Sequence, residues 1–158
     1  MSRGSLRRRL ARRRSAGLAI LAAVTAIGVV AGCGSNSRPT KAAYNTRANR
    51  VCESLNQKMH AIAERPFGNL SAELKEVLKV KEQANTQLRA IRMPAADAVP
   101  SEWLRYRELA IGALKNIVRA KPRSPGARIA NRAYVKANAK AEEIARAYGV
   151  TACVGFAA

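Results

Sequence analysis

With 158 residues, the chain has room for one domain and one modest core. Alanine supplies about a fifth of the residues and aromatics only 4%, while Pro and Gly fall in short clusters, a composition that favours helices joined by short turns and argues against a sheet. The formal charge is +19, and the +12 that remains after seven arginines of the first 14 residues are set aside argues for anionic surroundings such as phospholipid headgroups, wall polymers or acidic ligands.

That charge is not evenly spread. Arg3, Arg7, Arg8, Arg9, Arg12, Arg13 and Arg14 precede an uncharged stretch from Ser15 to Ser37, whose apolar part, Ala16 to Gly32, is about 17 residues long. Positive charge stays on the cytoplasmic side, so whatever follows this stretch emerges outside. With those seven arginines set aside, residues 33–158 still hold 22 basic against 10 acidic residues, a net +12. The apolar stretch ends in Val30-Ala31-Gly32-Cys33, which resembles the lipobox of bacterial lipoprotein signal peptides. The resemblance implies that residues 1–32 are a signal peptide removed by cleavage before Cys33, and that the Cys33 thiol takes a diacylglyceryl group. An uncleaved signal anchor is the alternative, because about 17 apolar residues is the low end of a membrane span. Arg13-Arg14 raises twin-arginine export, although Ser15-Ala16-Gly17 lacks the large apolar residues that usually follow such a pair. Residues 33–39 read as a flexible tether, polar and without apolar periodicity.

Residues 40–158 read as the folded domain. From Thr40 to Glu64 the positions Tyr44, Ala48, Val51, Leu55, Met59 and Ile62 recur at spacings of three and four, one face of an amphipathic helix. Pro66-Phe67-Gly68-Asn69 ends it, and Leu70, Leu74, Val77, Ala84, Leu88 and Ile91 carry a second helix as far as Met93-Pro94. Lys81 falls where that rhythm expects an apolar residue. Its stem is expected to lie on the core edge with the amine in water; the sharper alternative is an interior cation facing an anionic ligand. Asp97 can cap a third helix that tolerates Pro100 in its first turn, and the wide face of Trp103, Leu104, Tyr106, Ala110, Ile111, Leu114, Ile117 and Val118 makes it the most buried one. After the turn Lys121-Pro122-Arg123-Ser124-Pro125, a fourth helix carries Ile129, Ala133, Ala137, Ile144 and Tyr148 inward, with Gly149 as its left-handed cap.

Cys52 and Cys153 are the only cysteines besides Cys33. In an oxidising compartment they are expected to pair, closing the ends of an all-α, antiparallel up-down four-helix bundle, with which their positions agree; an intermolecular bond giving a dimer is the alternative. Pairing within one chain leaves the protein a monomer. A cysteine in the first helix, the turn Met93-Pro94-Ala95-Ala96, the Trp103-Leu104 helix and the ending Ala147-Tyr148-Gly149-Val150-Thr151-Ala152-Cys153 together are similar to small, uncharacterised actinobacterial helical lipoproteins with two bracketing cysteines. That resemblance implies the fold and no activity.

Catalytic candidates are few. There is no Cys-x-x-Cys, His60 is the only histidine and reads as an ordinary helix residue, and Glu142 and Glu143 adjoin on one helix but point in different directions. No cofactor, metal or enzymatic activity is expected. Arg128, Arg132, Lys136 and Lys140 recur every four residues, and no acid interrupts Arg119 to Lys140. Like charges at this spacing oppose the helix, as do basic residues in its first turn, so the stripe is either a solvated face or an anion-binding surface. The expectation is a lipid-anchored module on the outer face of the cytoplasmic membrane, docking an anionic envelope polymer, headgroups or an acidic protein. An enzyme or accessory factor of cell-wall assembly is the alternative. Nucleic acid is not expected, since an exported domain rarely meets it and the aromatics belong to the core pattern.

Overall fold

The computed structural model describes residues 38–66 and 68–155, and all of them belong to one compact unit, Asn36–Ala158. The expected signal peptide, Cys33 and most of the tether lie outside the described residues, as does Phe67. Each helix begins and ends for a local reason. α1 (Lys41–Ala63) starts where the Thr40 hydroxyl accepts the Ala43 N–H at 3.2 Å. α2 (Leu70–Ala90) starts where the Asn69 carboxamide oxygen accepts the Ser71 N–H at 2.9 Å. α4 (Pro125–Tyr148) has Ser124 as its cap, 3.1 Å from the Ala127 N–H, and a proline in its first turn. It ends at Gly149 (φ 95°), which turns the chain so that the Val150 N–H reaches the Ala145 carbonyl at 2.8 Å and the Gly149 N–H the Arg146 carbonyl at 3.2 Å. A single 3-10 turn, Thr151–Cys153, follows.

α3 (Val99–Arg119) departs from the expected capping. Its cap position is Ala98, which makes no side-chain bond, and Asp97 acts from one residue farther back, accepting the Val99 N–H at 3.0 Å. Its other carboxylate oxygen accepts the Tyr148 hydroxyl from the end of α4. Asp97 therefore ties two helices together instead of serving one.

The helices run up and down in sequence, with no strand among the described residues. The start of α1 meets the end of α4, and Cys52 and Cys153 stand at disulfide distance with Cα atoms 5.0 Å apart. Tyr44, Leu88, Trp103 and Val150 fill the core near this end. α3 buries more side chains than any other helix, as its wide apolar face predicts. All four helices, the core and the cysteine pair fall within Asn36–Ala158, so this stretch folds without the residues before it.

Two apolar faces are placed differently from expectation. On α4 the buried stripe is Ala130, Ala137, Ala141, Ala145 and Tyr148, whereas Ile129 is 60% exposed and Ala133 also faces water. Alanines at this spacing let α4 lie close against α3, which an isoleucine would prevent. On α2, Leu70 is likewise 60% exposed.

Candidate functional site: a cationic groove at one end of the bundle

Packing is uneven along the bundle, and the consequence appears where α2 begins, α3 ends and α4 begins. Leu74, Ile117 and Val118 are only half-buried there and Leu70 is exposed, so the three helices leave a groove of about 710 Å³. Besides these four, Ala120, Pro122 and Ala127 line it, with the uncharged polar Asn69, Ser71 and Asn131. Among the described residues, the only charged ones in its wall are Arg123 and Arg128. Arg128 Nη1 donates to the Arg123 carbonyl at 2.9 Å, which holds the two at one rim. Arg123 sits in the left-handed region (φ 62°), a conformation that a residue with a side chain adopts at a cost of roughly 1 to 2 kcal/mol.

The basic stripe continues from this rim along α4. Arg128, Arg132 and Lys136 are exposed, as are Arg119, Lys121 and Arg123 before them, and none of these six forms an ion pair among the described residues. Lys140 differs. Its ammonium lies 2.6 Å from the Glu143 carboxylate, whose hydrogen bond raises its pKa, so the acid-free part of the stripe stops at Lys136.

Lys81 is buried, at 7% exposure, so most of the side chain is enclosed as expected of a stem on an apolar face; its Nζ lies 5.6 Å from the centroid of the Tyr134 ring with no hydrogen-bond or carboxylate partner, yet is not among the fully enclosed polar atoms. Burial and the neighbouring Arg107 guanidinium lower its pKa to about 8, against a smaller opposing pull from Glu142. The Arg107 guanidinium stacks 5.5 Å over the Trp103 ring while its enclosed Nε finds no partner, and burial brings it down to about 10. Asn85 Oδ1 and the Tyr44 hydroxyl are also buried without partners in the chain, and burial raises Tyr44 to about 12. The bundle interior is therefore polar and cationic across α2 and α3.

A third feature left no mark in the apolar rhythm. Asn45, Asn49 and Asn56 share one face of α1 and bind the chain end: Asn45 Nδ2 donates to the Tyr148 carbonyl at 2.8 Å, Asn56 Nδ2 to the Ala152 carbonyl at 2.8 Å, and Asn49 Oδ1 accepts the Ala152 N–H at 3.0 Å. Their spacing of four and seven, in step with Cys52, was the available signal. These bonds hold Cys153 opposite Cys52, a structural task.

Among the described residues, no three His, Cys, Asp or Glu side chains converge as a metal site requires, and no helix is long and apolar enough to cross a membrane. His60 is an exposed residue of α1. Glu142 accepts from Asn138 Nδ2 at 2.7 Å and Glu143 holds Lys140, so the two acids act apart. What the arrangement offers chemically is cationic surface beside apolar surface, which is a means of binding. Compared with known proteins, the chain matches no family model, no curated sequence and no solved structure.

Proposed function

We propose that this chain is a lipid-anchored protein of the outer face of a bacterial cytoplasmic membrane, held through Cys33, whose helical bundle acts without enzymatic chemistry as an envelope-interaction module docking an anionic polymer. The observation that carries the docking is the run from Arg119 to Lys136, six exposed cations with no acid paired to any of them. Unpaired cations concentrated on one face create a local potential that attracts polyanions, and folding alone does not favour them.

Position supports a polymer over the anchoring membrane's own headgroups. The chain enters the bundle at the start of α1, beside the end of α4, whereas the cations cluster where α4 begins. The 24 residues of α4 separate those ends by about 36 Å. The chain thus joins the bundle at the end away from the basic cluster.

Salt is the test. Retention of residues 36–158 on isolated wall polymer should fall steeply as ionic strength rises, and Arg128, Arg132, Lys136 and Lys140 changed together to glutamine should reproduce the loss at low salt. Lys140 changed alone should do little, since Glu143 already occupies it. Retention that ignores both salt and the fourfold change leaves the stripe a solvated face. For the anchor, the intact mass of protein from native membranes should show a diacylglyceryl group on Cys33. Full-length chain in the cytosol with Met1–Gly32 attached and free thiols rejects it.

A further inference from the structure

We infer that the groove between α2, α3 and α4 binds a single-chain carboxylate amphiphile, its acyl chain lying against Leu70, Leu74, Ile117 and Val118 and its headgroup at Arg123 and Arg128. This rests on the reading of that end as a binding end, and it assigns a ligand different from the polymer that meets the exposed stripe.

Volume comes first. At about 710 Å³ the groove falls within the range of small-molecule sites, which are typically apolar with a few polar groups that fix orientation. Leu70 is 60% exposed within it, apolar surface that folding has left in water and that an acyl chain would cover. Charge comes second. Among the described residues of the wall stand two arginines, the uncharged polar Asn69, Ser71 and Asn131, and no acid, and the bond to the Arg123 carbonyl holds the Arg128 guanidinium beside Arg123, so the groove has a largely apolar floor and one cationic edge. That polarity matches one molecule with one apolar tail and one anionic head, and a guanidinium suits a carboxylate through paired N–H donors. The same cations argue against the chain's own arginine-rich first 14 residues as the occupant, and against the equally basic end of a second copy.

Calorimetric titration of residues 36–158 with sodium decanoate below its micelle concentration tests this. Expected is saturable binding of one decanoate per chain, no measurable heat from acetate, and binding of decyltrimethylammonium at least about tenfold weaker, since it offers the same tail with the opposite charge. Arg123→Gly combined with Arg128→Gln should weaken decanoate by about tenfold or more. Val118→Glu should abolish it while retention on wall polymer stays intact, which separates this inference from the docking one. Leu70→Glu, at a more exposed position, gives the same test should Val118→Glu fail to fold. The inference is overturned by absence of saturable decanoate binding, by equal binding of the cationic amphiphile, by indifference to both glutamates, or by binding to phosphatidylglycerol vesicles without binding to monomeric decanoate.

Discussion

Lys81→Leu should make the protein more stable, and pH should show why. The ammonium is buried among Arg107, which repels it, Glu142, which attracts it more weakly, and the Tyr134 ring, whose hydroxyl is itself held protonated by burial. Lowering the Lys81 pKa from 10.5 to about 8 corresponds to roughly 3 kcal/mol of penalty on the charged form at neutral pH. Leucine removes that penalty and forfeits the cation–ring contact, worth about 1 kcal/mol, for a net gain of about 2 kcal/mol. In a domain of this size that is a rise in Tm of about 8 °C. The sign with pH follows from proton counts. Between about 8 and 10.5 the unfolded chain keeps the Lys81 proton while the folded chain has released it, so stability climbs with pH through that window; below it both states are protonated and the penalty stands in full. From pH 7 to 9.5 the gain should be about 2 kcal/mol. Arg107, lowered to about 10, would add in the same direction only at higher pH, and Tyr44, raised to about 12, would oppose, which is why the range stops there. Urea unfolding of residues 36–158 and of the Lys81→Leu variant at pH 7.0 and 9.5 gives all four free energies. A variant less stable than the parent, or a parent whose stability is flat across this range, refutes the reasoning.

Three other changes report on separate links. Reducing the Cys52–Cys153 pair, 101 residues apart, should cost about 4 kcal/mol by the loop-closure argument, read as a lower urea midpoint. Gly149→Ala meets two obstacles, a backbone at φ 95° and an added Cβ placed 2.8 Å from Asn45 Nδ2, so it should cost more than the roughly 1 kcal/mol of a simple left-handed alanine; made in an Asn45→Ala background, which has already lost the bond to the Tyr148 carbonyl, it should cost less than in the parent by the steric part. Arg123→Gly should raise Tm by a few degrees, because glycine accepts the left-handed turn at roughly 1 kcal/mol less and the exposed arginine contributes no ion pair.

Helix existence and order were legible because two signals, cap and periodicity, coincide at four of the boundaries. Thr40, Asn69 and Ser124 each stand just before an apolar rhythm of threes and fours, and Gly149 just after one, so cap and periodicity agree without help from distant residues. The cysteine pairing was legible for a topological reason, since an even number of short-looped helices returns the chain to its starting end. What α4 buries was not. Hydropathy ranks Ile129 above Ala130, yet the distance between α3 and α4 is set by the smallest residues facing the gap, so a stripe of alanines turns inward and Ile129 stays in water. A scale that scores affinity for oil cannot score closeness of approach.

How deeply Lys81 is enclosed was hidden for a related reason. A lysine on an apolar face is ordinarily long enough to bring its amine to solvent, and that expectation depends on how near the helix edge is to water. Here Arg107 comes from α3 and Tyr134 from α4, two elements far away in sequence, and both enclose the same space. The groove was equally hidden, because it arises from what three helix ends fail to fill, and each contributing stretch, Leu70–Leu74, Ile117–Ala120 and Pro122–Asn131, reads locally as ordinary helix or turn. Arg119 to Lys140 could be picked out as unusual because charge needs no partner in order to be counted. Its extent could not, since the ion pair that removes Lys140 depends on Glu143 three residues later choosing that lysine over water. Binding surfaces of this protein are thus set by differences between helices, in packing at one end and in charge along one face, and differences become visible only once the helices stand side by side.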